Sequence, residues 1–423
     1  MRITDVVVTP VAFRDPALLN SAGVHEPYAL RAVIEVRTDD GLCGLGETTG
    51  DENLLALLNR AASAAVGADP FDLIDLERRT AAAVGGHDSP DAHGLTGPSS
   101  AAKSLARVFS PFEVACLDLQ GRATGRPVWA LLGGKARERV PFSAYLFYKW
   151  AAHPGSPYPD EEDDPWGEAL DPDGVVAQAR RMVDLYGFRS IKLKGGVFPP
   201  EEEIEAIRAL RAAFPDHPLR LDPNCAWTVG TSHKVAEALD GVLEYLEDPT
   251  PTIPGMAEVA ARAPMPLATN MCVVGFADLP ESVARGAVGV VLSDHHYWGG
   301  LRASHKLAAV CDTFGIGLSM HSNSHLGISL AAMVHLAAAT PNLTYDVDTH
   351  WPWRSEDVVA DNPYVFTGGS VAVPDTPGLG IELDRDELAR LHEQYLRCGV
   401  RSRDDTAYMR RFRPEFEKRR PRW

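Results

Sequence analysis

Two lysines separated by a single leucine, Lys192 and Lys194, sit in the run Ser190-Ile191-Lys192-Leu193-Lys194, which Gly195-Gly196 closes. A short apolar-polar alternation ended by a glycine pair forms a strand. Residues i and i+2 of a strand share a face, so two ammonium groups lie together while Ile191 and Leu193 face the other way. Lysine ordinarily has a pKa of about 10.4 and cannot take up a proton at neutral pH. A second ammonium, a nearby cation and partial burial each disfavour the charged form. The pair therefore suits a lysine base on an interior strand. The competing explanation, two solvated lysines on an edge strand, is opposed by the apolar flanks.

Polar residues end a whole series of such runs. Lys194, Asp222, Glu247, Asn270, Asp294 and His321 follow one another roughly 25 residues apart, the length of one strand-helix unit. Asp222, Glu247 and Asn270 come from consecutive strands and offer three oxygen donors with two negative charges. That set suits a hard divalent cation, Mg²⁺ before any other. A zinc site would use His or Cys; "HSNSH" does set His321 and His325 four apart, but no His-Glu-x-x-His motif is present. Taken singly, each carboxylate could as well cap a strand end or pair with a cation. As a set with a lysine pair and a histidine they compose a metal, a base and an acid.

The elements that position them are β-rich runs: "VPFSAYLFY", "SIKLK", "LRLDPN", "YLEDP", "LATNM", "GVVLSD", "GLSMHS" and "LTYDVD". Helical patterns such as "PEEEIEAIRALRAAF" and "GLRASHKLAAVCDTFG" lie between most of them, which predicts a parallel sheet. Eight such strands make an α/β fold, a (β/α)8-type (TIM-like) barrel over residues 136–385, with the strand ends on one active-site rim. Residues 1–135 predict an α+β capping domain. In it, strands at 1–13 and 30–37 are followed by a hairpin through "TDDG" into "LCGLGET", and helices lie at 52–66 and 71–84. "GLCGLG" has the wrong spacing for a dinucleotide loop. The segment 85–100, rich in Gly, Ser, Pro and His, is a lid or a surface loop, and "SPFE" (110–113) reads as a capping box opening a helix to about Gly121. An acidic, Pro-rich insertion follows the first barrel strand, and 386–423 forms a C-terminal segment returning to the capping domain.

The chain has 423 residues and 45% hydrophobic composition, enough for two domains with large cores. A net charge of −17 argues against nucleic-acid and anionic-membrane partners while leaving a locally positive pocket possible for an anionic small molecule. The basic end, "MRRFRPEFEKRRPRW", then packs on an acidic body. Six scattered cysteines without a C-x-x-C pair indicate reduced thiols. With no signal-peptide pattern and no run of membrane-spanning length, a cytoplasmic protein is expected.

"KLKGG", "LDPNCAW", "YLEDP", "LATNM", "LSDHHYW" and "HSNSHLGISLA" together resemble the enolase superfamily, and within it the glucarate dehydratases. "NSAGVHEP" (20–27), "YDVDTHW" (345–351), "PGLGIELD" (377–384) and "RDD" (403–405) extend the likeness over nearly the whole chain. The resemblance implies a modified (β/α)7β barrel and a homo-oligomer. It implies Mg²⁺ on Asp222, Glu247 and Asn270, Lys194 as one base, Lys192 neutralising a substrate carboxylate, and His321 supported by Asp294 as acid or base on the opposite face. It also makes Asn224 an active-site residue, and Asn20, His25, Tyr145, Phe147, Ser322, Asn323, His350 and Arg403 substrate contacts. The implied substrate is a dicarboxylic acid sugar that loses water to give a keto-deoxy acid. Segments 20–27 and 85–100 would close the mouth. Dehydration or epimerisation of another hexarate (galactarate, L-idarate), a metal-independent Schiff-base aldolase and a silent barrel are the alternatives. Two positions depart from the family pattern: Ser99-Ser100 stand where Thr-Phe is usual, and Cys225 where Gly is usual.

Overall fold

The computed structural model describes residues 1–88, 100–155, 157–158, 164–361 and 363–423. Three antiparallel strands open the chain, Ile3–Arg14, Tyr28–Thr38 and Cys43–Thr49, with the middle strand paired on both sides. Helices Glu52–Ala65, Leu73–Val84 and Ala101–Thr124 cover the sheet. Gly44 and Gly46 of "GLCGLG" belong to the hairpin strand and serve close packing, while Gly41 lies in the turn at φ +83°. A Cβ on Gly44 or Gly46 would meet the carbonyl oxygens of Ala115 or Pro111 at 2.1 or 2.0 Å.

The long helix corrects one expectation. It begins at Ala101 with Ser100 as N-cap, accepting from the Lys103 amide at 3.2 Å, and Ser110-Pro111 lie in its interior. The Ser110 hydroxyl is committed elsewhere, donating to the His295 carbonyl at 2.7 Å. The suspected lid falls mostly on residues 89–99, which with Ser99 lie outside the described residues.

Eight parallel strands then form the barrel: Arg139–Phe147, Ile191–Lys194, Leu219–Asp222, Leu243–Glu247, Leu267–Thr269, Val290–Ser293, Gly317–Met320 and Val347–Thr349. Each of the first six pairs with the next, and the eighth pairs with the first. The amides of Thr344 and Tyr345, leading into the eighth strand, donate to the Leu318 carbonyl and tie it to the seventh. Among the described residues a helix follows each of the first seven strands, and only a 3₁₀ turn, Trp351–Trp353, follows the eighth, giving (β/α)7β. Helix Arg385–Cys398 returns to the first strand of the capping sheet, where His392 and Gln394 meet the carbonyls of Pro10 and Ala12 at 2.7 and 2.9 Å. The basic end goes further: the amides of Arg422 and Trp423 donate to the Ala226 carbonyl in the loop after the third barrel strand. Among the described residues no helix is long and apolar enough to cross a membrane.

Register explains how the barrel interior is built. Phe147, Lys194 and Asp222 are partners across the first three strands, and Tyr145, Lys192 and Arg220 form the row beneath. The inward residues of strands four to six are mostly apolar: Tyr245, Ala268 and Leu292 cluster with Val290. Those of the second, third and eighth strands are charged. The centre of the barrel is thus divided into an apolar half and an ionic half.

Candidate active site

The ionic half is fully buried. Lys192 Nζ lies 2.6 Å from both Glu247 Oε2 and Asp348 Oδ2, 3.6 Å from Asp222 Oδ2, and over the Tyr145 ring at 4.6 Å. Lys194 Nζ contacts Asp222 Oδ2 at 2.5 Å and is the member of the pair that reaches the pocket. Burial works against a charged Lys192, but the carboxylates of Asp348 and Glu247 outweigh it and hold its pKa well above the ordinary value. Lys192 is therefore a firmly protonated counter-ion. Burial also works to raise the Asp222 carboxyl, and here the two ammonium groups win and bring it down to about 2. Glu247 is pushed well above the usual range by burial and by the charge on Asp222, against the pull of Lys192.

Charge accounting explains the split. Asp222, Glu247, Asp248 and Asp348 are four buried carboxylates facing two ammonium groups, while Arg220 is matched by Glu244 at 2.7 Å. With all four ionised the excess would be two negative charges, the charge that one divalent cation would balance. Asp248, next in chain to Glu247, is raised to about 6 by burial and by Asp222. The donors also fit a cation. Glu247 Oε2, although 2.6 Å from Lys192, and the amide oxygen of Asn224 complete no directed hydrogen bond. The Asn270 amide has two readings, since its oxygen and nitrogen are assigned by their surroundings. Turned one way, its nitrogen donates to Glu247 Oε1 and Asp248 Oδ2 at 3.2 and 3.1 Å and its oxygen accepts from His321 Nε2 at 3.2 Å. Turned the other way, its oxygen confronts the carboxylates, an arrangement only a cation would favour.

Across the rim, His321 Nδ1 lies 2.9 Å from Asp294 Oδ2. The other Asp294 oxygen meets His296 Nδ1 at 2.7 Å and the His296 amide at 2.9 Å. Burial would raise the Asp294 carboxyl, yet His296 and His321 together hold it well below the ordinary value. Arg31, from the capping sheet, fixes the proton positions. Its Nη2 lies 3.0 Å from His296 Nε2 and can only donate. His296 must then carry its proton on Nδ1 and give that bond to Asp294. With Asp294 ionised, His321 does the same, which leaves Nε2 as the ring nitrogen turned away from Asp294.

Above this floor opens a pocket lined among others by Asn20, His25, Tyr145, Phe147, Lys194, His321, Ser322, Asn323, His350 and Arg403. Asn224, Lys192, Asp294 and the Asp222/Glu247/Asn270 set lie below its surface. The hairpin made by Leu19–Asn20 and Gly23–Val24 brings Asn20 and His25 over the mouth.

Comparison with known proteins decides the family. Residues 2–133 match the mandelate racemase/muconate lactonizing enzyme N-terminal domain, and 174–387 match the enolase C-terminal domain-like family. A protein of Streptomyces coelicolor named probable glucarate dehydratase is 56% identical, with 98% of this chain and 97% of the relative covered. The chain belongs to the enolase superfamily of enzymes. Among its solved members, an enolase from Thermobispora bispora, complexed with magnesium and formate, superposes with a TM-score of 0.98 at 63% identity over the whole of both chains. One from Mycobacterium smegmatis, complexed with tartrate, gives 0.95 at 67% identity over 100% of this chain and 98% of its own.

In this superfamily member the distal end of the pocket departs from a simple cationic anchor. Arg403 Nη1 lies 2.6 Å from Asp15 Oδ2, and its Nε 2.8 Å from Asp405 Oδ1. His25 Nδ1 shares the same Asp15 oxygen at 3.1 Å. Burial and Arg403 lower the His25 pKa, against Asp15. Arg403 is thus held in place by two carboxylates, and its end of the pocket is rich in oriented N–H groups without a surplus of positive charge.

Five participants escape the sequence pattern. Asp348 and Asp248 stand next to motif residues in "YDVDTHW" and "YLEDP", and His296 follows Asp294 in "SDHHYW"; an acid or imidazole two places or fewer from a strand-end residue is the available signal. Arg31 and Asp15 give none, because the partners that tie them to the site, His296 and Arg403, are hundreds of residues away. Asn224 and Cys225 carry φ values of +53° and +60°, and Asp248 +36°. The left-handed region explains why glycine would suit position 225.

Proposed function

We propose that the protein is a Mg²⁺-dependent dehydratase of a dicarboxylic acid sugar of the glucarate type, producing a keto-deoxy acid and water. The observation that carries the reading is the Asp222/Glu247/Asn270 oxygen set flanked by Lys194 on one side and the Asp294–His321 pair on the other. Asp222, Glu247 and Asn270 would hold the cation, which when bound would supply charge to stabilise a substrate carboxylate as the adjacent proton leaves. Lys194 Nζ or His321 Nε2 takes the proton α to that carboxylate, according to the configuration of the α-carbon. His321 Nε2 then delivers a proton to the departing β-hydroxyl, either the one it has just taken or, where Lys194 is the base, one it already carries as an imidazolium paired with Asp294, so that water leaves and the enol tautomerises to the ketone. Asp294 keeps His321 in one tautomer throughout. Lys192, pinned between Glu247 and Asp348, adds positive charge beneath the reacting carboxylate. Dehydration or epimerisation of galactarate or L-idarate uses the same proton-abstraction half.

A screen of hexaric and aldonic acids with Mg²⁺, read by keto-acid formation, tests the reading. A hexarate should give keto acid, activity should vanish with chelator and return with Mg²⁺, and epimerised acid without keto acid would instead support an epimerase. Full activity in metal-free protein would sink the metal assignment.

The distal carboxylate offers a second check. A charge-assisted hydrogen bond contributes about 1.5–3 kcal/mol, so Arg403→Ala should lower kcat/KM for diacids roughly 10- to 100-fold more than for the matching monoacids. Equal losses for both would mean that Arg403 only clamps Asp15 and Asp405.

A further inference from the structure

We propose that Cys225, Cys272 and Met271, beside the carboxylate of Asp248, form a separate metal site for a thiophilic d¹⁰ ion such as Zn²⁺ or Cd²⁺. The two thiol sulfurs and a carboxylate oxygen of Asp248 all lie within 4.8 Å of one another. Met271 Sδ is 3.7 Å from Cys225 Sγ. Zinc–thiolate bonds of about 2.3 Å put tetrahedral sulfur ligands between roughly 3.5 and 4 Å apart, so only a small contraction is needed. Two thiolates, a thioether and a carboxylate are a soft donor set that Mg²⁺ does not favour.

The surroundings fit a ligand site. Asp248 accepts from Thr269 Oγ1 at 2.6 Å and from the amides of Asn270 and Met271 at 2.8 and 3.1 Å. With the Asn270 amide oxygen turned toward the carboxylates, three of about four acceptor positions on Asp248 are thereby used, leaving one for the ion. Cys272 is half-buried and gives an entry path, while Cys225 is buried. Cys272 Sγ is also held weakly, 3.8 Å from the Thr250 carbonyl. Cys225 stands at φ +60°, a backbone conformation that glycine adopts more easily, so its side chain is kept there at the expense of backbone comfort. A divalent ion would displace one proton from each thiol, and the two thiolates would balance its charge.

The site sits directly behind the proposed Mg²⁺ set, because Met271 and Cys272 follow Asn270. Occupation would draw on the Asn270 loop and inhibit turnover; that consequence alone rests on the proposed function. Binding itself is read without activity. The full-length protein, with thiols reduced and Mg²⁺ in excess, is titrated with Cd²⁺ while thiolate-to-cadmium absorption in the ultraviolet is followed. Oxygen ligands give no such band, so Cd²⁺ at Asp222, Glu247 and Asn270 would not be mistaken for it. One equivalent per chain should produce the band. Cys225→Gly, which suits its backbone and should fold at least as well, should weaken binding at least 10-fold, as should Cys272→Ser. Cys43→Ser and Cys398→Ser should change nothing. No band in the unsubstituted protein, or a band that survives Cys225→Gly, would overturn the site.

Discussion

His321→Asn is expected to stop keto-acid formation while leaving α-proton exchange at Lys194 intact. Lys194 and His321 occupy the ends of the second and seventh barrel strands and both line the pocket, with the carboxylate set between them. They therefore approach a bound α-carbon from different sides. In the proposed mechanism His321 also donates to the leaving hydroxyl, and asparagine keeps a polar group of similar reach that cannot carry a proton. General acid–base catalysis contributes about 10²- to 10⁴-fold, so elimination should fall by that factor. In D₂O, an epimer presented to Lys194 should still gain deuterium without losing water. Lys194→Ala should abolish that exchange and spare the epimer presented to His321. Undiminished keto acid from His321→Asn, or continued exchange of the Lys194 epimer by Lys194→Ala, would refute the two-base assignment and make the lysine pair a binding device.

How far the sequence reaches is clear from particular residues. The six strand-end residues from Lys194 to His321 were legible because a repeating strand-helix unit fixes both their spacing and the rim on which they end. Their charges could be read for the same reason. The partners that balance those charges could not. Asp348 lies one row below the rim, where a period of strand ends has nothing to say, and Asp15, Arg31 and Glu47 reach the site from the capping domain. Arg31 shows the difficulty: besides its neighbour-strand partner Glu47 at 2.7 Å, it approaches His296 and Asn323 of the barrel, contacts that domain packing alone creates. Local chemistry alone points to the wrong start for the Ala101–Thr124 helix. A proline inside a helix ordinarily costs about 3 kcal/mol, so Ser110-Pro111 resembles a beginning. Tertiary contacts reverse this, with Gly46 pressed against Pro111 and Ser110 bonded to His295.

Lys192→Met is expected to lower stability by about 3–5 kcal/mol, the usual result of removing one partner from a buried ion pair and leaving the other uncompensated. Lys192, Glu247 and Asp348 are all completely excluded from solvent, so water cannot take over the role of the ammonium. Methionine nearly conserves the shape, which confines the effect to charge. Asp348→Asn alone should cost less, because Lys192 retains Glu247 at 2.6 Å. In the double variant the orphaned Asp348 charge is gone, and the two losses should fail to add by about 0.5–3 kcal/mol, the range for residues in one ionic network. Urea denaturation of the four proteins without Mg²⁺ measures this directly. Mg²⁺ held by Asp222, Glu247 and Asn270 would restore part of the missing positive charge, so the deficit of Lys192→Met should shrink when Mg²⁺ is added. Strictly additive losses, or a Lys192→Met protein as stable as the original, would show that the lower lysine does not neutralise the barrel carboxylates. Its place beneath Lys194 would then have to be explained by contact with substrate alone.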